Sequence, residues 1–137
     1  MKKITLLAAV LLASATMNSQ TIAHNDSDEI IGGTVACPTE TTNYLRVFDL
    51  ADEFEITTDW TITSVSFGTE VSETDDITIN LYTADDVDPT AAILTNIYTG
   101  SEATADLEIS EHTLTAPVTV PAGSIVVMEL AEVADGI

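Results

Sequence analysis

Carboxylates are the most abundant side chains here that could bind or catalyse anything: 23 Asp and Glu stand against 3 Lys and Arg in 137 residues. Three of them, Asp85, Asp86 and Asp88, lie in the segment TADDVDP between two apolar runs. Hard cations take several carboxylate and carbonyl oxygens, so calcium is the ligand that this group favours. The segment lacks the residue order of an EF-hand, and Asp with Pro is common in ordinary turns. A calcium site and a solvated turn are therefore the two interpretations.

A second acidic group precedes the next apolar run and could share such a calcium site or simply be solvated; it comprises Glu70, Glu73, Asp75 and Asp76. Glycoside hydrolysis also needs two carboxylates at a set separation. This chain has so many carboxylates that the sequence can neither select nor reject a pair. An independent glycosidase would need a cleft that holds two close carboxylates, one of them with a raised pKa.

The two histidines give little support to nucleophilic or zinc chemistry. No Gly-x-Ser-x-Gly elbow is present, and His24 and His112 are the available imidazole bases. His24 lies near the start of the chain, and His112 alternates with polar residues, which predicts a solvated position on a strand. Two distant histidines and one cysteine do not form a recognisable zinc site. We expect no catalytic residue and no cofactor other than calcium.

Aromatic residues could provide a platform for sugar rings. Among the candidates, Trp60 shares a run with Ile62 and is expected in the core. Tyr82 alternates with the apolar residues Ile79 and Leu81, which places it on the opposite, exposed side of a strand. We therefore predict Tyr82 as a ligand-binding residue.

The start of the chain predicts export. Lys2 and Lys3 precede the apolar run 4–13, and Ala13-Ser14-Ala15 offers the small residues that a signal peptidase needs, whereas a membrane span needs about 20 apolar residues. We predict a signal peptide over 1–20, a secreted or cell-surface location, and no membrane insertion of the mature chain. The net charge of −20 excludes nucleic acid as a partner, because such binding depends on Lys and Arg.

Cys37 and Arg46 are the remaining residues with a reactive or positively charged side chain outside the leader. Cys37 is the single cysteine, which excludes an internal disulfide and favours a bridge to another molecule or to a cysteine beyond the C-terminus. A lipid anchor at Cys37 is disfavoured, because more than twenty residues separate it from the apolar run of the leader. Arg46 is the one basic residue after the leader, and we expect it to pair with an acid in a structural role.

The elements that must position these residues are short strands. Residues 21–33 lack periodicity and predict a flexible acidic arm, and one domain is expected over 34–137. There, β-branched and aromatic runs alternate with Asp, Gly, Pro and Thr clusters, which is typical of antiparallel strands. The predicted strands are 44–50, 60–67, 77–83, 93–98, 107–114, 118–120 and 124–130. A change of phase near Thr63-Ser64 predicts a β-bulge. Apolar residues on both sides of 124–130 predict a strand covered on both faces.

Seven strands at this spacing predict an all-β fold: an antiparallel β-sandwich with Greek-key or jelly-roll-like connections. Four segments carry a family resemblance: YLRVFDL at 44–50, TSVSFG at 63–68, INLY at 79–82 and VPAG at 120–123. With these, the chain resembles a β-sandwich accessory module of secreted bacterial proteins, similar to carbohydrate-binding and jelly-roll domains that accompany hydrolases. Such modules continue past the turn at 134–136 with further strands and a second cysteine, so the resemblance implies a C-terminal truncation.

Together these features predict a secreted or surface-associated, non-catalytic module for binding or adhesion, with an extracellular glycan or another protein as partner. Carbohydrate is the ligand that the resemblance implies, and calcium would brace the loops. The alternative is the N-terminal piece of an extracellular hydrolase, a protease or a polysaccharide-degrading enzyme, whose catalytic domain is absent from this chain.

Overall fold

The computed structural model describes residues 20–24, 42–69 and 76–132. This part of the chain is all-β and contains six strands in two antiparallel sheets. The strands are β1 (Thr42–Asp49), β2 (Trp60–Thr69), β3 (Asp76–Ala84), β4 (Leu94–Ala103), β5 (Glu108–Val120) and β6 (Ile125–Glu132). The described residues include no helix long and apolar enough to cross a lipid bilayer.

The larger sheet has the strand order β1-β6-β3-β4, and the smaller one pairs β2 with β5. Only β3 and β4 are consecutive strands that pair with each other; every other connection passes from one sheet to the other. The late strand β6 therefore lies between β1 and β3. Because β6 is interior, its side chains can be covered on both faces, and adjacent Val126 and Val127 are 3% and 0% exposed. The prediction of a strand covered on both sides is confirmed.

Alternation along β3 sets the two faces of the larger sheet. Ile77, Ile79 and Leu81 are buried, as predicted. Since successive side chains point to opposite faces, Asn80 and Tyr82 lie on the other side, which we call the outer face. The inner face faces the core.

Both sheets contribute to one hydrophobic cluster. Leu81, Tyr98 and Val126 come from the larger sheet, and Ile62, Leu114 and Val120 come from the smaller one. Trp60 packs against this cluster, which confirms its predicted place in the core. A second cluster joins Phe67 of β2 to Ile77 and Ile79 of β3. Apolar side chains from two different sheets therefore bury one another.

The predicted bulge is present, and it also explains the one miscounted strand. Pairing shifts register between Ile62, which lies opposite Val118, and Ser64, which lies opposite Thr113. Residues 114–117 of β5 therefore face a single residue of β2. Pro117 lies in this unpaired stretch, where its missing N–H costs no ladder hydrogen bond. The sequence segments 107–114 and 118–120 were expected as two strands; they form one irregular strand, so the described residues hold six strands rather than about seven.

Residues 20–24, at the start of the predicted arm, contact the core. Ile22 packs against the main hydrophobic cluster. The His24 ring stacks on Phe48 and Phe54 at centroid distances of 4.8 and 5.4 Å, and its Nε2 lies 3.0 Å from a Glu53 carboxylate oxygen. The rest of the predicted arm, Cys37 and almost all of the predicted signal peptide lie outside the described residues.

Candidate functional site

The outer face of the four-stranded sheet carries a polar group that the register brings together. Asn80 of β3 lies opposite Glu129 of β6, and Tyr82 lies two residues further along β3 on the same face. On the other side of β6, Leu45 of β1 lies opposite Glu129, and Asn43 lies two residues before it. Three strands therefore direct polar side chains toward the Glu129 carboxylate.

Glu129 is the centre of this group because it accepts hydrogen bonds from three side chains. Its Oε2 accepts from the Tyr82 hydroxyl at 2.7 Å and from the Asn80 amide at 2.9 Å. Its Oε1 accepts from the Asn43 amide at 3.1 Å. The carboxylate is thus fixed by neutral donors on both neighbouring strands, and its orientation is set before any ligand arrives.

The hydrogen bonds continue from Asn80 to β4. The Thr99 hydroxyl donates to Asn80 Oδ1 at 2.7 Å, and the Asn96 amide donates to the Thr99 hydroxyl oxygen at 3.2 Å. The network therefore spans all four strands of the sheet. We call its members the outer polar cluster: Asn43, Asn80, Tyr82, Asn96, Thr99 and Glu129.

Glu129 also changes the acidity of Tyr82. The pKa of the Tyr82 phenol is raised, first because its hydrogen bond to Glu129 favours the protonated form. Burial and the negative charge of Glu129 act in the same direction, while a hydrogen bond from Asn96 opposes them. Tyr82 is therefore held as a neutral hydrogen-bond donor and not as a base. The sequence placed Tyr82 on the exposed side of its strand; the structure places it there, half-buried among polar neighbours.

Apolar side chains border the cluster on the same face. Leu45 is 40% exposed and Val47 is half-buried, whereas Val127, opposite Val47 in register, is fully buried. Arg46, by alternation, lies on the opposite face of β1 and is exposed. The two salt bridges found among the described residues both involve histidine, so the expected ion pair of Arg46 is not one of them. The outer face therefore combines amides, a phenol, one carboxylate and apolar surface.

The loop between β3 and β4 holds the predicted calcium ligands. Asp85 Oδ1 accepts a hydrogen bond from the backbone N–H of Ile93 at 2.7 Å, and Asp86 Oδ1 accepts from the N–H of Asp88 at 3.0 Å. Asp88 Oδ1 accepts from both the N–H and the hydroxyl of Thr90. Each of the three carboxylates therefore has one oxygen that stabilises the loop backbone, as acidic residues do in ordinary turns.

The hydrogen bonds that Asp88 accepts also change the acidity of its carboxyl group. Hydrogen bonds from the hydroxyl and then the N–H of Thr90 lower the pKa of its carboxyl group, because they favour the charged form. This direction is opposite to that required of a general acid in a glycosidase. Within residues 20–24, 42–69 and 76–132, no group of three or more His, Cys, Asp or Glu side chains could hold a metal ion. Of the second acidic group, only Asp76 belongs to this part of the chain.

His112 is the residue that the sequence placed wrongly. It was expected on a solvated strand face, yet it is 7% exposed and lies between the sheets. Its Nδ1 is 2.7 Å from Glu102 Oε2, and its Nε2 is 2.7 Å from the Tyr98 hydroxyl. An ionised carboxylate can only accept, so Nδ1 donates to Glu102; in the neutral form of the ring, Nε2 then accepts from the Tyr98 hydroxyl.

Gly100 makes room for this contact. It lies on β4 between Tyr98 and Glu102, on the same side of the strand. A Cβ at this position would lie 2.6 Å from the Tyr98 hydroxyl oxygen and 2.7 Å from His112 Nε2. A glycine two residues after an aromatic on an edge strand was the available sequence signal for a close approach. We call these residues the inter-sheet polar contact: Tyr98, Gly100, Glu102 and His112.

The molecule is thus defined by its fold class and by two polar groups. Its described part is all-β, with two antiparallel sheets, an outer polar cluster on the larger sheet, and a buried polar contact between the sheets. No protein-family model, no curated protein and no solved structure matches this chain.

Proposed function

We propose that this protein is a secreted or cell-surface, non-catalytic accessory module that binds an extracellular glycan through the outer polar cluster. The observation that carries the proposal is the Tyr82 ring, half-buried on the outer face and fixed by a hydrogen bond to Glu129. A competing partner, the surface of another protein, would use the same face. The finer fold that we propose is a β-sandwich with Greek-key or jelly-roll-like connections.

The sandwich is supported by the core and the strand order. Two sheets bury one hydrophobic cluster between them, and β6 returns to lie between β1 and β3. A late strand inserted beside the first is typical of Greek-key connections. On the outer face Val127 is fully buried, but Asn43, Asn96 and Thr99 are exposed and available to a ligand.

The chemistry of the outer face suits sugars. Amides and carboxylates offer donors and acceptors in fixed planar geometry, which matches neighbouring sugar hydroxyls. An aromatic ring adds apolar area for the C–H face of a sugar ring with little conformational entropy to lose. Asn43, Asn80, Tyr82 and Glu129 supply these groups from three strands, already oriented by their mutual hydrogen bonds. Such preorganisation lowers the cost of binding.

We propose a non-catalytic role because neither histidine ring is placed to serve as a base at the outer face. Both ring nitrogens of His112 are engaged by protein groups in a buried position, and the His24 ring stacks on Phe48 and on Phe54, with its Nε2 3.0 Å from Glu53. Neither ring is free to act as a base toward a substrate at the outer face. Calcium is part of the proposal only as a brace of the loop at Asp85, Asp86 and Asp88.

The test is a screen of the full chain against a panel of soluble polysaccharides by affinity electrophoresis, followed by calorimetry on any that bind. We expect Tyr82→Ala to weaken binding by at least about tenfold, the loss that corresponds to about 1.4 kcal/mol. The matched control is Tyr44→Ala, an exposed tyrosine on the opposite face of β1. Failure of every glycan to bind, or an equal loss in both variants, would overturn the proposal. Release of reducing ends during the screen would contradict its non-catalytic part.

A further inference from the structure

We infer that the glycan preferred by the outer polar cluster carries free, protonated amines, as in a polymer of 2-amino-2-deoxy sugars. This inference rests on the proposed glycan-binding function and names its substrate class. The feature behind it is the Glu129 carboxylate, to which the described residues donate three hydrogen bonds, none of them from a positively charged group.

The open position follows from the hydrogen bonds of Glu129. An ionised carboxylate offers about four acceptor positions, two on each oxygen. From the described residues, Oε2 accepts two hydrogen bonds and Oε1 accepts one. The described part of the chain therefore leaves one position on Oε1 for a further donor, and the three existing bonds hold the carboxylate in place.

The charge of Glu129 is not neutralised by its neighbours. Its three donors are two amides and a phenol, all uncharged. Arg46, the one basic residue of the sequence after Lys3, lies on the other face of β1. A half-buried carboxylate favours a cationic partner, because the charge has lost part of its hydration.

The surroundings of Glu129 select among sugars by charge. An ammonium group is attracted by the carboxylate and by the field of a chain with a net charge of −20. Uronic acid and sulfated sugars meet repulsion from the same groups. An N-acetylated sugar has the same ring and hydroxyls but lacks the charge, so it lacks the additional attraction.

The experiment compares two oligosaccharides of equal length, a glucosamine oligomer and an N-acetylglucosamine oligomer, by calorimetry at pH 6. We expect the free amine form to bind at least about tenfold more tightly, because a hydrogen bond between two charged groups is stronger than one between a charged and a neutral group. Glu129→Gln should remove this preference. Glu111→Gln, which removes an exposed carboxylate from β5, should keep it and so controls for non-specific attraction of a cation to an acidic protein.

A second variant avoids disturbing the hydrogen bonds of Glu129. Leu45 is exposed and lies opposite Glu129 in register, so Leu45→Lys adds a cation beside the carboxylate. It should abolish the preference for the amine, whereas Leu45→Gln should retain it.

Several outcomes would overturn the inference. Equal affinity for the two oligomers would do so, as would an equal effect of Glu129→Gln and Glu111→Gln, or an unchanged preference in Leu45→Lys. If neutral glycans bind in a Tyr82-dependent manner without any preference for amines, the substrate class is wrong and the proposed function stands. If no glycan binds, the proposed function itself fails.

Discussion

At the scale of single residues, burial separates two positions that look alike in the sequence. Tyr82 and His112 both alternate with neighbours on a strand, and alternation assigned each to an exposed face. Tyr82 is on the solvent side of its sheet, but the side of β5 that holds His112 is covered by β4. Period-two alternation divides a strand into two faces and does not say which face another sheet will cover. The sequence therefore predicted the strand face on which Tyr82 lies and missed the buried contact of His112.

His112 should contribute strongly to stability. His112→Ala would leave the Tyr98 hydroxyl and the Glu102 carboxylate without their partner and would open a cavity between the sheets. We expect a loss of about 2–4 kcal/mol in the free energy of unfolding, measured by urea denaturation. The matched control is Thr113→Ala, an exposed neighbour on β5 that should change stability by less than about 0.5 kcal/mol.

Gly100 provides an independent check on the same contact. Gly100→Ala should destabilise the chain by about 1–3 kcal/mol, because its Cβ would overlap the Tyr98 hydroxyl and the His112 ring. In the His112→Ala background this cost should decrease, because one of the two overlapping groups is gone. Additive effects of the two substitutions would contradict the assigned geometry.

The raised pKa of Tyr82 predicts a loss of stability at alkaline pH. Its pKa is raised in the folded state, so its contribution to stability is complete below the unfolded pKa of about 10 and is lost as the pH rises through the higher folded value. The stability difference between the parent and Tyr82→Phe should therefore shrink as the pH rises above about 10. Urea midpoints across this range provide the measurement. A difference that stays constant, or one that Tyr44→Phe reproduces, would argue against the hydrogen bond to Glu129.

At the scale of secondary-structure elements, the sequence predicted the features that depend on local patterns and missed those that depend on pairing between distant segments. The bulge at Ile62/Ser64 and the inward set of β3 followed from the phase of apolar residues. The continuity of β5 across Pro117 could not be predicted in this way, because a proline usually interrupts a strand. Only the register with β2 shows that no ladder hydrogen bond is needed at this position. The outer polar cluster was also hidden, since Asn43 and Glu129 are 86 residues apart in sequence and meet only once β6 pairs with β1.

The predicted calcium site in the loop between β3 and β4 can be tested by thermal denaturation. Calcium bound to the native state raises the thermal midpoint by linkage, with about 2.7 kcal/mol gained at a hundredfold excess over the dissociation constant. We predict a rise with calcium, a fall with chelator, and no response in Asp85→Ala. The structural alternative is that Asp85 serves only to accept the N–H of Ile93, in which case Asp85→Ala lowers the midpoint equally with and without calcium. If the parent and Asp85→Ala respond identically to a chelator titration, the prediction of a calcium site is wrong.

At the scale of the whole molecule, charge dominates. The net charge of −20 and the scarcity of basic residues could be counted from the sequence, and the structure shows that the salt bridges in its described part both depend on histidine. Most carboxylates therefore repel one another without a cation to offset them. This repulsion opposes the compact state and is also what would draw a cationic glycan toward Glu129.

Salt should consequently stabilise this protein at neutral pH. Screening shortens the range of repulsion from about 10 Å at 0.1 M ionic strength to about 3 Å at 1 M, so the thermal midpoint at pH 7 should rise with added sodium chloride. Near pH 4.1, the isoelectric point of the sequence, the net charge vanishes and the rise should be much smaller. Salt also strengthens apolar burial to some extent, but that effect does not depend on the charge of the carboxylates. A salt response of equal size at both pH values would therefore show that repulsion among the carboxylates contributes little to the stability of the fold.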